Sequence, residues 1–250
     1  MNNILLENET LTEVNENINL IQKKSGLTFG TDAFLLASFI KAQKNSIAVE
    51  LGGGTGVISL LCASREKFKT IYCAEIQKDF ADIIDRNAKL NSLDSKVISL
   101  CSDIRDLKSV NIGCEVDAVF SNPPYMKVDS GKRNEYDEKF IARHEVCGDI
   151  SDFCACAKRL LKHGGFFYCV WRPDRLVDLI CAMRENSLEP KEICFVHANT
   201  QSEPSMVLVK AKKGASSGLI LYQPLFLNED DNPKALTKRA RTIYEECNFS

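Results

Sequence analysis

Val49-Glu50-Leu51-Gly52-Gly53-Gly54-Thr55-Gly56 joins a short apolar run, Ile47–Leu51, to a segment whose apolar residues recur at helical spacing over residues 56–66. A strand that enters a glycine turn and leaves as a helix is the opening unit of a βαβ crossover, so it commits the chain to a mostly parallel sheet. Glycines stand at alternate positions 52, 54 and 56. Only glycine lets a backbone turn this sharply while a ligand lies directly against it.

Working outward, the chain keeps alternating strand-like and helix-like segments. Strands are expected over 70–76, 97–101, 116–121 and 166–171, and helices over 78–91, around 153–161 and over 175–186. The runs 192–197 and 205–211 are separated by a polar stretch too short for a crossover helix, which makes them an antiparallel pair. The expected architecture is therefore α/β, a seven-stranded mixed, mostly parallel sheet with helices on both faces. Residues 1–45 form an N-terminal segment with one helix, 46–227 the main domain, and 228–250 a tail read as a linker and a fraying basic helix.

Composition narrows the class of function. Lys and Arg total 32 against 34 Asp and Glu in 250 residues, a net charge of −2, with 44% hydrophobic residues. That is an ordinary globular balance, which excludes wholesale disorder. No apolar run approaches the roughly 18 residues of a membrane span, and the N-terminus lacks a secretion signal, so the expected location is the cytoplasm, with a monomer as the expected state. Eleven cysteines, mostly in apolar segments, read as buried thiols. Cys154 and Cys156 fall on an expected helix, where alternate side chains diverge by about 200° and cannot share a metal. No metal site is expected.

Glu75 ends the second strand, about 25 residues after Glu50. An acid there can accept hydrogen bonds from ribose hydroxyls, so loop and acid together point to a nucleotide-type cofactor. The dinucleotide pattern G-x-G-x-x-G does not fit, because after Gly52 and Gly54 the next glycine is at 56 rather than 57. After the fourth strand comes Asn122-Pro123-Pro124-Tyr125, where the prolines end both ladder and helix. Asn122 offers a side-chain amide oxygen, Pro123 a carbonyl on a stiff backbone, and Tyr125 a face for stacking. Two acceptors aimed at a planar amine free its delocalised lone pair for attack. Taken alone, the turn reads more simply as a polar stop after a buried strand.

The E-x-G-x-G-x-G spacing resembles the first motif of class I S-adenosylmethionine-dependent methyltransferases, and Asn-Pro-Pro-Tyr resembles the catalytic turn of those that methylate adenine N6, guanine N2 or a glutamine amide. The resemblance assigns the cofactor, S-adenosyl-L-methionine, to Glu50, Gly52, Gly54, Gly56, Glu75 and Ile76, with Asp103 and Ile104 at the adenine, and catalysis to Asn122, Pro123, Pro124 and Tyr125. Two further stretches, Gly26-Leu-Thr-Phe-Gly-Thr-Asp-Ala-Phe-Leu-Leu-Ala37 and Ala142-Arg-His-Glu145, are similar to the bacterial tRNA1(Val) adenine-N6 methyltransferases. In that group the first stretch covers the cofactor pocket, which brings Thr31 and Asp32 to it. The same resemblance implies a tRNA substrate, the anticodon loop of a valine tRNA, with Arg143 and His144 as candidates to grip it; the basic pair Lys132 and Arg133 is a further candidate on charge alone, where a solvated surface is the simpler reading. A glutamine-amide methyltransferase acting on protein and a non-catalytic cofactor- or RNA-binding assembly factor stand as the alternatives.

Overall fold

The computed structural model describes residues 5–24, 29–124, 148–229 and 235–249. Its chain order is β1 (Glu9–Asn15), β2 (Ile18–Lys23), α1 (Thr31–Phe39), β3 (Ile47–Leu51), α2 (Val57–Ser64), β4 (Thr70–Glu75), α3 (Lys78–Leu90), β5 (Val97–Cys101), a single turn α4 (Ser109–Ile112) and β6 (Val116–Ser121). It continues with α5 (Ile150–Leu160), β7 (Leu161–Trp171), α6 (Leu176–Glu185), β8 (Leu188–His197), β9 (Pro204–Lys213), the short β10 (Ile220–Leu221) and β11 (Leu225–Phe226), and α7 (Lys238–Glu246).

All seven expected strands form, in the spatial order β8-β9-β7-β6-β3-β4-β5. From β5 to β7 the pairings are parallel, while β9 runs antiparallel to both β7 and β8. Two short strands beyond the expected seven, β10 and β11, lie parallel along β8. Strand β7 begins at Leu161 rather than at residue 166: Gly164 takes φ +79° and the register with β6 shifts, so Gly164-Gly165 is an irregularity inside a strand. The sheet divides the apolar interior in two. Phe68, Phe120, Tyr168 and Leu208 pack on one face, and Val49, Leu51, Val119, Phe153, Phe167 and Val209 on the other.

The N-terminal segment holds more than the expected helix. β1 and β2 form an antiparallel hairpin lying on α3. Asn87, fully buried in α3, accepts from the Ile21 N–H (2.7 Å) and donates to the carbonyls of Ile21 (3.1 Å) and Thr55 (2.9 Å), tying hairpin and glycine loop to one side chain. Glu9 meets Arg86 through two hydrogen bonds, the guanidinium holding its carboxyl below the ordinary range. Helix α1 is apolar on nearly every side, with Ala33, Leu35, Leu36, Ala37 and Phe39 all buried, as a helix enclosed by protein must be. Its C-terminal carbonyls would be stranded there. Lys67, itself buried, supplies the missing donors to Ala37 O (2.7 Å), Ser38 O (3.3 Å) and Ile40 O (2.6 Å).

Beyond residue 234 the chain packs rather than frays. Thr237 caps α7 by accepting from the Ala240 N–H (3.1 Å), and Ala240, Ile243, Cys247 and Phe249 are buried. Phe249 stands edge-on to Phe39 at 5.1 Å, Tyr244 meets Phe34 at 5.6 Å, and Arg65 donates to Glu245 O (2.7 Å). Helix α7 is packed against α1 and β11. Phe249→Ala should therefore lower the unfolding free energy by about 3 kcal/mol, the size of a large-to-small change at a buried aromatic. Urea denaturation of the full chain reads this, and an unchanged midpoint would contradict the packing.

Candidate active site

Four loops leave the carboxyl edge of the sheet in one row, because register places Ser121, Leu51 and Ala74 side by side and Glu75 beside Cys101. Strand β3 lies between β4 and β6 and is where the strand order reverses, so the loops after β3 and β6 diverge and leave a cleft. Ser121 closes its floor by donating to Leu51 O (2.7 Å).

The glycine loop is fastened from below. The N–H groups of Gly52 and Gly53 both donate to Ala74 O, at 2.9 and 3.0 Å. Gly52, Gly54 and Gly56 have φ of +70°, +55° and +80°, the left-handed region that glycine adopts without strain. A Cβ on Gly54 would meet nothing within 4 Å, so the loop's outer side is open. Gly53, which the alternating pattern passes over, is constrained by packing instead: a Cβ there would sit 2.2 Å from Cys73 Sγ.

Glu75 lies beside the loop, with Oε2 accepting from the Gly54 N–H (2.9 Å) and Oε1 from the Gln77 N–H (2.9 Å). Each carboxylate oxygen keeps a further lone pair for a diol. Glu50 points the other way. It is 1% exposed, and its Oε2 accepts from the Ser59 N–H (3.0 Å), the Ser59 hydroxyl and the Cys73 thiol (3.4 Å). It therefore braces the loop and the start of α2 from inside rather than lining the open cleft. Ile76 is half-buried beside Glu75, and Ile104 is 5% exposed. Asp103 closes a turn on the Arg105 N–H (2.8 Å), while the Arg105 guanidinium spans both its oxygens and holds its carboxyl below the ordinary range.

Asn122 follows β6 directly, with Pro123 buried and Pro124 half-buried after it. Its Nδ2 donates to Asp32 Oδ2 at 2.7 Å, and its buried Oδ1 has no partner among the described residues. Asp32, expected beside the cofactor, thus reaches the Asn-Pro-Pro turn; it lies in the first turn of α1 next to Thr31. Tyr125, Lys132, Arg133, Arg143 and His144 lie outside the described residues, as do residues 26–28 of the N-terminal stretch.

The donor set suits an adenosyl cofactor: an open glycine turn, an anchored carboxylate with spare lone pairs, and an uncommitted amide oxygen converge on one cleft. Cys154 and Cys156 are both buried, and burial pushes each thiol up to about 12. Among the described residues no cluster of three His, Cys, Asp or Glu could hold a metal, and no helix is long and apolar enough to cross a membrane.

Glu50 gives the site a measurable pH signature. Burial pushes its carboxyl up to about 7 despite the Ser59 and Cys73 hydrogen bonds. A group that holds its proton more tightly folded than unfolded contributes stability at low pH, and that contribution fades as pH climbs from about 4.5 toward 7. Relative to Glu50→Gln, the wild type should gain on the order of 1–3 kcal/mol as pH falls through that window. Urea denaturation of both proteins at several pH values tests this; a difference independent of pH would be the contrary result.

The methyltransferase small domain family matches residues 23–178, more than half of the chain. Among curated relatives, the tRNA1(Val) (adenine(37)-N6)-methyltransferase of Bacteroides fragilis strain YCH46 is 25% identical over 228 residues, covering 89% of this chain and 88% of its own. The protein of the same name from Phocaeicola vulgatus is 27% identical over 193 residues, covering 76% and 78%. Among solved structures, one described as a predicted O-methyltransferase of Agrobacterium tumefaciens superposes with a TM-score of 0.71 at 23% identity, over 87% of this chain and 97% of that one. The tRNA m1G37 methyltransferase of Methanocaldococcus jannaschii gives 0.55 at 17% identity, over 84% and 58%. The fold is that of the Rossmann-like methyltransferases, and this chain belongs to the methyltransferase small domain family as an enzyme that uses S-adenosylmethionine as its methyl donor.

Proposed function

We propose that this enzyme methylates the exocyclic N6 amine of an adenine in RNA, within the anticodon loop of a valine tRNA, and that it does so in the cytoplasm as a monomer. The observation that carries the reading is the buried Asn122 Oδ1, unpartnered among the described residues, on a proline-stiffened turn beside the glycine loop. An acceptor without a donor is costly inside a protein. An amine with two N–H groups is the ligand that relieves it. The curated relatives support the substrate: they carry the name tRNA1(Val) (adenine(37)-N6)-methyltransferase in several bacteria.

Bound in the cleft, S-adenosylmethionine supplies a methyl group activated by its sulfonium. Glu75 would hold the ribose hydroxyls, Gly52, Gly54 and Gly56 would let the backbone approach, and Asp103, with Ile76 and Ile104 beside it, would face the adenine ring. Asn122 Oδ1 and the Pro123 carbonyl would each accept one N–H of the substrate amine, drawing its lone pair out of conjugation. Held by these two acceptors, the amine nitrogen would be the nucleophile toward the cofactor's methyl group, and its surplus proton would pass to water. Pro124 fixes the turn, and Tyr125 would stack on the base. A base inside structured RNA must be flipped out to reach this turn, and Lys132, Arg133, Arg143 and His144 would grip its backbone.

Transfer of labelled methyl to total tRNA, with a protein extract in parallel and nucleoside analysis of the RNA, tests the reading. Label recovered as N6-methyladenosine supports it. Label in protein alone would replace it with the glutamine-amide reaction, and label in neither would favour the non-catalytic alternative. Asn122→Ala should reduce kcat about 10²–10³-fold with cofactor Kd nearly unchanged, as expected when an interaction made in the transition state is lost. Glu75→Ala should instead weaken cofactor binding about 10- to 100-fold, the worth of charged hydrogen bonds.

A further inference from the structure

An asparagine amide is nearly symmetric in shape and opposite in chemistry at its two ends. Turned by half a rotation, Asn122 would aim an NH2 donor instead of an oxygen at the substrate amine, repelling the group it must polarise. Something has to choose between the two orientations. The backbone cannot, because the prolines fix the turn and leave the terminal amide torsion free.

The selecting group is Asp32. Its Oδ2 lies 2.7 Å from Asn122 Nδ2, across a separation of 90 residues. An ionised carboxylate is an acceptor only, so it admits the NH2 end of the amide and rejects the oxygen. The bond is charge-assisted, about twice as strong as a neutral one. With Nδ2 engaged, Oδ1 is forced to the other side, where it is buried and has no partner among the described residues. We infer that Asp32 is a positioning residue for methyl transfer: its carboxylate locks the Asn122 amide in the orientation that presents Oδ1 to the acceptor amine. This inference rests on the proposed amine-methylating role of Asn122.

The lock has a rigid mount. Asp32 Oδ1 accepts from the Ala33 N–H (3.0 Å), fixing the carboxylate to the first turn of α1. The far end of that helix is gripped by Lys67, and its flank by Phe249 and Tyr244. The carboxylate also has an electrostatic consequence. Pulling on Nδ2–H makes Oδ1 a stronger acceptor, and its negative charge favours the positive charge that grows on the amine nitrogen as the methyl arrives.

Two measurements test the inference independently. In nitrogen-15 NMR spectra of the full chain, the Asn122 side-chain resonance is identified by its disappearance in Asn122→Ala. In the wild type its carboxylate-bonded proton should be shifted downfield and exchange slowly, and both features should vanish in Asp32→Asn, where the partner can itself donate. In kinetics, Asp32→Asn should lower kcat about 10- to 100-fold while cofactor Kd stays within about twofold, and in an Asn122→Ala background the same change should cost nothing further. A wild-type amide that exchanges freely would overturn the inference. So would additive losses in the double variant, or a rise in cofactor Kd matching the fall in kcat/KM, which would make Asp32 a cofactor ligand. Should the wild type transfer no methyl to RNA, the proposed function fails, and the amide signature alone still decides whether Asp32 locks Asn122.

Discussion

The pairing of β3 with β6 is the constraint on which everything else depends. These neighbours are consecutive neither in sequence nor in crossover direction, so the loops leaving them must part, and a cleft opens between. Register then decides what faces that cleft. Leu51 beside Ser121 puts Gly52 and Asn122 at its two lips, and Ala74 beside Leu51 brings Glu75 to the loop. A slip of one residue would carry Glu50 and Leu51 each to the opposite face of the sheet, exchanging the buried brace for an apolar side chain.

The lips are held by polar groups that are expensive to bury. Glu50, Asn87 and Lys67 are each almost inaccessible, and each is tolerable only because its hydrogen bonds go to backbone or hydroxyl groups otherwise left without partners. They act at different places: Glu50 under the glycine loop, Asn87 between that loop and the hairpin, Lys67 at the end of α1. What emerges is a backbone frame shaped from beneath, leaving its upper surface free for ligand.

Much of this was legible in the chain. The parallel strands, buried on both faces, show as compact apolar runs, and the glycine turn, Glu75 and Asn122 fall at strand ends, where a parallel sheet opens its cleft. The rest depended on distant partners. β1 and β2 carry a polar, weakly alternating pattern and are held by Asn87 and Arg86 far along the chain. α7 offers only Ala240 and Ile243 on a basic helix, and its docking is visible only once Phe39 and Phe34 are in place. The constraint on Gly53 comes from the neighbouring strand and leaves no mark in the glycine spacing, and the sequence brings Asp32 to the pocket without pairing it with Asn122.

The contact between Gly53 and Cys73 reaches beyond the loop itself. The sulfur occupies the space that any side chain at 53 would need, with Ile84 next in line at 3.3 Å. Tolerance at the two positions is therefore joint: a larger residue at 53 can be accommodated only in a chain that has first given up volume at 73. The order of substitutions matters, since the intermediate with a shortened residue 73 carries a small void, whereas the reverse intermediate carries a clash. Divergence of this loop has an allowed path and a forbidden one, set by a single thiol.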